Sequence, residues 1–220
     1  MKFLLTSAGI TNKSIEKAMI ELVGKPVSET SILFVPTAAN TIPGDKSWLI
    51  KNIEQLQKKG YKSVDVLDIA GVPQQIWQPR FEAVDLIYFG GGDVQYLVKE
   101  MRGCGLDTIL PELLKARVYM GISAGSIAVA QLLPSVLMEK LYDDDPAEAG
   151  PQTIPLGLVD CLFVPHFNSE DFEHVRKENV EPFKPQFKYP FYACDDESAL
   201  KIVDGKIEVV SEGKYLVFQK

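Results

Sequence analysis

The feature that most constrains the fold of this chain is an alternation between short apolar runs and longer amphipathic segments. The apolar runs predict buried strands at Lys2–Thr6, Ser31–Pro36, Val64–Leu67, Val84–Phe89, Arg117–Gly121 and Leu158–Pro165. The amphipathic segments predict helices at Lys13–Val23, Asp45–Lys59, Val94–Met101 and Ala124–Leu133. Such alternation is typical of a three-layer α/β domain, in which helices cover both faces of a mostly parallel sheet. Functional groups then gather at the carboxyl edge of the sheet, where the strands end.

The C-terminal part of the chain follows a different pattern. Ala199–Val203 and Lys206–Val210 flank an Asp204-Gly205 pair, which is typical of a β-hairpin, and Tyr215–Gln219 adds another strand. No repeat, low-complexity tract or linker interrupts the sequence. We therefore predict a single domain over residues 1–220.

Composition excludes several classes of protein. A net charge of −7 argues against a nucleic-acid partner, which would require a basic face. The cysteines Cys104, Cys161 and Cys194 are odd in number and lack metal-site spacing, so they predict reduced thiols in a cytoplasmic protein. The most hydrophobic stretch, Val118–Met138, contains glycines, a glutamine and a proline, so no membrane span is expected.

A candidate nucleophile lies in the sequence Gly121-Ile122-Ser123-Ala124-Gly125, which fits the Gly-x-Ser-x-Gly pattern. A predicted strand precedes Ser123 and a predicted helix follows it. The glycines permit a tight turn, and the N-terminus of the helix directs N–H groups and a positive dipole end toward the site. The alternative is a buried serine in a glycine-rich turn without any catalytic role.

A second glycine-rich turn, Gly90-Gly91-Gly92-Asp93, follows the predicted strand that ends at Phe89. Its backbone N–H groups can approach a ligand without obstruction by side chains. A phosphate-binding loop would need a Walker or dinucleotide-binding pattern, and neither is present. We therefore predict an oxyanion hole formed by the N–H of Gly91 or Gly92 together with that of Ala124, with a plain tight turn as the alternative.

A serine nucleophile needs a base, and the chain offers only His166 and His174. His166 follows the apolar run Leu158–Pro165 and is expected at the same sheet edge as Ser123. His174 lies in the polar segment Ser169–Asn179, which predicts a solvated helix, so we expect it to be a surface residue.

The carboxylate that would orient the histidine is open at this point. Asp195 and Asp196 follow a predicted strand at Phe191–Cys194, whereas Glu139 and the run Asp143–Asp145 lie between the serine and the histidine in the chain. Pro134 is expected to end the helix after Ser123 and to leave Glu139 on a loop. The order of triad residues differs between folds, so chain order does not decide.

Four segments together resemble the family of peptidase E (aspartyl dipeptidase) and cyanophycinase. They are Phe89–Asp93, Gly121–Ser126, Val164–Phe167 and, less closely, Cys194–Leu200, where Glu197 stands in place of a usual glycine. The resemblance implies a fold related to class I glutamine amidotransferases (flavodoxin-like), with serine in the place of the cysteine. It also implies a peptidase that needs no metal or cofactor and acts on peptides with acidic residues.

The resemblance assigns roles to particular residues. It makes Ser123 the nucleophile, His166 the base and Gly91 or Gly92 an oxyanion donor, with Asp196 as the first choice of carboxylate and Glu139 as the second. Arg176, on the predicted helix Ser169–Asn179, is a candidate for binding a substrate carboxylate, since a guanidinium binds one in a bidentate manner. An exposed helix arginine without such a role is the alternative.

These observations predict a cytoplasmic serine peptidase of short peptides, which acts as a monomer or homodimer. The resemblance implies that dipeptides with an N-terminal acidic residue are among its substrates. An esterase of the α/β-hydrolase type and an inactive binding domain of the same fold are the competing hypotheses.

Overall fold

The computed structural model describes residues 1–142 and 153–219. Within this part of the chain the strands are β1 (Lys2–Thr6), β2 (Ser31–Val35), β3 (Ser63–Val66), β4 (Leu86–Phe89), β5 (Val118–Ile122), β6 (Leu162–Val164), β7 (Phe191–Cys194), β8 (Ser198–Val203), β9 (Lys206–Ser211) and β10 (Tyr215–Phe218). The helices are α1 (Lys13–Val23), α2 (Ser47–Lys58), α3 (Gln74–Glu82), α4 (Val94–Gly103), α5 (Leu106–Leu113), α6 (Ala124–Ile127) and α7 (Ser135–Tyr142), together with a single helical turn at Lys177–Val180.

In the described part of the chain, a central sheet of seven strands has the order β3-β2-β4-β5-β1-β8-β9. All pairs formed among strands β1 to β5 are parallel. In contrast, β8 is antiparallel to β1, and β9 is antiparallel to β8. The antiparallel pair is the hairpin predicted around Asp204-Gly205. The carboxyl ends of β4, β5 and β1 therefore lie side by side, and the loops that follow these strands meet at one edge of the sheet.

Side chains of the central sheet alternate between two covered faces, as pleated strands require. On β1, Phe3 and Leu5 pack in one cluster with α3, α4 and α5, to which α3 contributes the buried Trp77. Leu4 belongs to the opposite cluster with α1 and α2, to which α1 contributes the buried Met19. Full burial of one such side chain stabilises the fold by about 1.5–3 kcal/mol. The three-layer α/β architecture predicted from the alternation is confirmed.

A second, smaller sheet has the order β10-β7-β6, with β6 parallel to β7 and β10 antiparallel to β7. Leu137 and Leu141 of α7 pack against Leu162 and Val164 of β6 in a third apolar cluster. The sequence pattern did not predict this sheet. The strand before His166 and the strand before Ser123 therefore lie in different sheets. The expectation that both residues follow strands of one sheet was wrong.

The helix predicted at Ala124–Leu133 is shorter in the structure and ends at Ile127. Beyond it, the backbone bonds across to the segment before β6: the Leu156 N–H donates to the Ala128 carbonyl, and the Gln131 N–H donates to the Cys161 carbonyl. These bonds replace the hydrogen bonds of further helical turns. The chain can therefore cross here from the central sheet to the second one.

Two other local predictions were wrong. Glu139 lies on α7 rather than on a loop, because Pro134 comes just before the helix and the Leu137 N–H donates to its carbonyl. The solvated helix predicted at Ser169–Asn179 is reduced to the turn Lys177–Val180, and the residues before it form turns. The run Asp143–Asp145 lies outside the described residues.

No helix within residues 1–142 and 153–219 has the length and apolar character required to cross a lipid bilayer.

Candidate active site

Ser123 occupies a strained turn between β5 and α6. Its backbone angles are φ 46° and ψ −107°, a combination that non-glycine residues adopt at a cost of about 1–3 kcal/mol. Its N–H donates to the carbonyl of Thr6 at 2.9 Å, and its own carbonyl accepts from the N–H groups of Ser126 and Ile127. This strand–turn–helix geometry is that of a nucleophile elbow, which presents the serine hydroxyl at the sheet edge.

The glycines around Ser123 are required by close packing. A Cβ at Gly125 would lie 2.5 Å from the carbonyl oxygen of Phe89, and a Cβ at Gly121 would lie 2.5 Å from backbone atoms of Gly125 and Ser126. Both distances are far below van der Waals contact. The missing side chain at Gly125 therefore lets the turn pack against the end of β4, and the one at Gly121 lets the turn fold back onto the strand before it.

Hydrogen bonds from the last residue of β1 fix the turn at Ser123. The buried Ser126 hydroxyl donates to the Thr6 carbonyl at 2.8 Å and accepts from the Thr6 N–H at 2.9 Å. The Thr6 hydroxyl donates to the Gly121 carbonyl at 2.6 Å and accepts from the Gly9 N–H. The last residue of β1 is thus bonded to both sides of the Ser123 turn.

The glycine-rich turn after β4 lies next to Ser123. The N–H of Gly90 donates to the Val35 carbonyl and the N–H of Asp93 donates to the Ala38 carbonyl. Among the described residues, no backbone acceptor is found for the N–H groups of Gly91 and Gly92 between them. A Cβ at Gly91 would lie 3.5 Å from the Cβ of Ser123. Unbonded donors are therefore held close to the serine.

Gly92 has φ 133°, and a side chain there would overlap the backbone of Ala38. On the other side of Ser123, Ala124 is the first residue of α6, and the N–H of a first helical residue has no acceptor within its own helix. Among residues 1–142 and 153–219, the three N–H groups predicted to bind an oxyanion thus have no backbone acceptor; two of them lie on the turn after β4 and one on α6.

His166 lies two residues beyond β6, with φ 63° in the left-handed region. Its Nδ1 is 2.8 Å from Oδ1 of Asp196, and its side chain is 13% exposed against 41% for that of Asp196. A carboxylate only accepts hydrogen bonds, so Nδ1 carries a proton, and in the neutral imidazole the lone pair is then on Nε2. This is the tautomer that a general base requires.

The neighbouring Asp195 is used differently. Its carboxylate accepts from the N–H of Glu197 at 3.1 Å and from the hydroxyl of Ser198 at 2.6 Å, and it also accepts from the N–H of Lys214. Asp195 therefore stabilises the turn between β7 and β8. Its neighbour Asp196 is thereby left to face the imidazole.

Ser7, which the sequence pattern did not single out, links the segment that contains His166 to the segment that contains Asp196. Its fully buried hydroxyl accepts from the N–H of His166 at 3.1 Å and donates to the carbonyl of Cys194 at 2.7 Å. Thr6 bonds the turn at Ser123 and Ser7 bonds the backbone of His166, so the last residue of β1 and the residue after it connect the two segments that carry Ser123 and His166. No local signal predicts this, because the partner residues are more than a hundred positions away.

The other candidates lie apart from this arrangement. Within the described residues, the carboxylate bonded to the His166 ring is that of Asp196, while Glu139 is half-buried on α7. His174 is exposed, as predicted. Arg176 is half-buried and its terminal nitrogens donate to carbonyls of its own loop, those of Ser169, Phe172 and Val175.

None of the thiols is suited to act as a nucleophile. Burial raises the pKa of Cys161 to about 12 and also raises the pKa values of Cys194 and Cys104 above their usual range. A thiol with a raised pKa stays protonated at neutral pH, and the protonated form is a poor nucleophile. The nucleophilic chemistry of this site is therefore left to a hydroxyl group.

Comparison with solved structures supports the fold. The chain superposes on a peptidase E candidate of Listeria monocytogenes EGD-e with a TM-score of 0.76 and 22% identity, covering 96% of this chain and 98% of the other. A peptidase from an acI-B1 Actinobacterium gives a TM-score of 0.69 with 20% identity, covering 99% and 90%.

Curated relatives are also peptidases by name. The uncharacterized peptidase Lin0382 of Listeria innocua is 25% identical over 186 residues, which are 81% of this chain and 87% of the relative. The uncharacterized peptidase YgaJ of Bacillus subtilis is 28% identical over 186 residues, 80% of this chain and 70% of the relative. The model of peptidase family S51 matches residues 3–210. The chain therefore belongs to peptidase family S51 and is a serine-type peptidase, as its resemblance to peptidase E had implied.

Proposed function

We propose that this peptidase cleaves short peptides through an acyl-enzyme formed on Ser123, with His166 as general base and Asp196 as the residue that orients it. The observation that carries the proposal is the 2.8 Å contact between His166 Nδ1 and Asp196 Oδ1. It leaves Nε2 as the only ring nitrogen able to accept a proton. The strained turn at Ser123 supports the role of the serine.

In the proposed reaction, Ser123 Oγ attacks the peptide carbonyl while its proton moves to His166 Nε2. The negative charge that develops on the carbonyl oxygen is stabilised by the N–H groups of Gly91 or Gly92 and of Ala124. Collapse of the intermediate breaks the C–N bond, and His166 returns the proton to the leaving amine. A water molecule, deprotonated by His166, then releases the acid and regenerates the serine.

A preference for N-terminal acidic residues is part of the proposal and rests on the resemblance to peptidase E. It needs a cation near the scissile bond. Arg176 is the candidate from the sequence, but its terminal nitrogens already serve three backbone carbonyls. We further propose a cytoplasmic enzyme that acts as a monomer or homodimer without a cofactor.

The test is covalent labelling with a fluorophosphonate, followed by mass spectrometry of the modified peptide. We expect one adduct, on Ser123, and a loss of kcat of about 10⁴-fold or more in Ser123→Ala, with the fold retained. A Ser123→Ala enzyme with more than about a tenth of the wild-type activity would contradict the proposal. Labelling of Ser123 with turnover of esters but not of peptides would favour an esterase, and no labelling would favour a binding domain.

A further inference from the structure

The loop that follows His166, here called the base loop (residues 167–176), is closed by one side chain. Arg176 Nη1 donates to the carbonyls of Phe172 at 2.9 Å and Val175 at 3.1 Å, and Nη2 donates to the carbonyl of Ser169 at 2.9 Å. These are charge-assisted bonds from a planar, fixed donor group. The guanidinium thus donates to the backbone carbonyls of this loop, as backbone N–H groups do in a helix.

Closing the loop in this way places Phe172 on the imidazole of His166. The two rings are parallel within 9°, with centroids 4.2 Å apart. Tyr142 of α7 meets Phe172 edge-on at 5.9 Å and donates its hydroxyl to the Pro165 carbonyl, just before His166. The stacked ring is therefore supported by two contacts, one from Arg176 on its backbone and one from Tyr142 on its side chain.

The contacts of His166 then restrict its ring in two directions. Asp196 fixes the position of Nδ1 within the ring plane, and Phe172 covers one face of the ring. Rotation about the terminal torsion of a histidine is otherwise soft, so a ring held by the carboxylate alone could still tilt. Small misplacements of a base are costly, because proton transfer requires near hydrogen-bond geometry.

We infer that Phe172 and Arg176 are positioning residues for the general base, and that Arg176 acts through the base loop rather than as a ligand of the substrate carboxylate. This inference rests on the proposed function, since it assumes that His166 is the base. It differs from the substrate-binding role in a measurable way: loss of Arg176 should lower kcat for every peptide rather than raise KM for acidic peptides only.

The experiment compares dipeptides that differ only in an N-terminal Asp or Asn, and measures kcat and KM for Phe172→Ala, Phe172→Tyr, Arg176→Ala and Arg176→Lys. We expect Phe172→Ala and Arg176→Ala to lose roughly 10- to 100-fold in kcat on both dipeptides, with KM within about twofold. Phe172→Tyr keeps the stacked ring and should recover most of the activity. Arg176→Lys should not, because an ammonium cannot reproduce the planar fork.

Arg80→Ala is the matched control. Arg80 also donates to a backbone carbonyl, that of Val66, and pairs with Asp65, but it lies on α3 beside the edge strand β3. It should leave kcat within about twofold. A KM that rises only for the Asp dipeptide in Arg176→Ala, with kcat unchanged, would overturn the inference, and so would an unchanged kcat in Phe172→Ala.

A spectroscopic measurement separates failure of the inference from failure of the proposed function. The downfield proton NMR signal of His166 Nδ1–H should shift or broaden in Phe172→Ala and Arg176→Ala but not in Arg80→Ala, whether or not Ser123 reacts with a fluorophosphonate. If Arg176→Ala does not fold, Phe172→Leu carries the same test. An unchanged signal in a folded Phe172 variant would show that the stacked ring does not position the base.

Discussion

The two halves of the candidate site are built in different ways. In the nucleophile half, the whole strained turn lies within Gly121–Ser126, and its Gly125 packs directly on Phe89 of the neighbouring strand β4. In the base half, His166 meets a carboxylate 30 positions away, and its N–H is bonded to Ser7, the residue after β1, which is 159 positions away. A local motif thus specifies the first half, whereas the second exists only when distant segments have packed.

This difference predicts how each half responds to mutation. The nucleophile half should keep its shape when the Ser123 hydroxyl is removed, because steric contacts of the backbone define the turn. The base half should be sensitive at residues that never touch substrate, because hydrogen bonds and ring contacts define it. The predictions below test this contrast, from the largest expected effect to the smallest.

The largest effect is expected at the base itself. His166→Ala removes the proposed general base and should lower kcat by about 10⁴-fold or more, whereas His174→Ala changes an exposed side chain and should keep kcat within about twofold. Steady-state kinetics on both purified variants provide the measurement. Similar losses from the two substitutions would mean that the base half has been assigned to the wrong histidine.

The next effect concerns the carboxylate. Asp196→Asn should cost roughly 10²–10⁴ in kcat, because the amide cannot hold the same tautomer of His166 or stabilise the imidazolium. Glu139→Gln, on α7, should have little effect. Measurement of kcat at saturating peptide decides between them. If the Glu139 variant loses activity and the Asp196 variant keeps it, the orienting carboxylate has been assigned to the wrong segment of the chain.

A smaller effect is expected at Ser7, which bonds the backbone of the base. Ser7→Ala leaves the His166 N–H without its acceptor and should lower kcat by about tenfold with KM little changed.

Thr30→Val serves as its control, because the Thr30 hydroxyl is also buried and also donates to a carbonyl, that of Pro26, at the far end of β2. Both variants should lose about 0.5–1.5 kcal/mol of stability in urea unfolding. If kcat falls equally in both, or in neither, Ser7 only stabilises the fold.

The smallest effect is one on stability and touches both halves. Ser123 and His166 have positive φ values, which glycine adopts more easily than alanine. The glycine variant should therefore be more stable than the alanine variant by about 1 kcal/mol at each position. Urea unfolding of the two pairs measures this difference. A less stable glycine variant at either position would show that its backbone is not strained there.

The sequence was most informative where the signal is local. The strand at Lys2–Thr6, the helix at Lys13–Val23 and the hairpin around Asp204-Gly205 appear in the structure as predicted. It was least informative around α3 and α5, which were not predicted. Pro79 and Pro111 lie inside these helices, and an interior proline ordinarily indicates that a helix ends. Burial of Trp77 on α3 shows why tertiary packing outweighs this local preference.

By itself, the sequence determined the α/β architecture and the turn at Ser123, since strand periodicity and glycine sterics act between close neighbours in the chain. Only the tertiary structure decided that β6 and β7 form a second sheet, that Asp196 rather than Glu139 faces His166, and that Arg176 closes its own loop. These outcomes depend on hydrogen bonds and ring contacts whose geometry is set when separate segments pack together. Such contacts leave no periodic pattern along the chain, because each one needs only a single residue of suitable chemistry at either end.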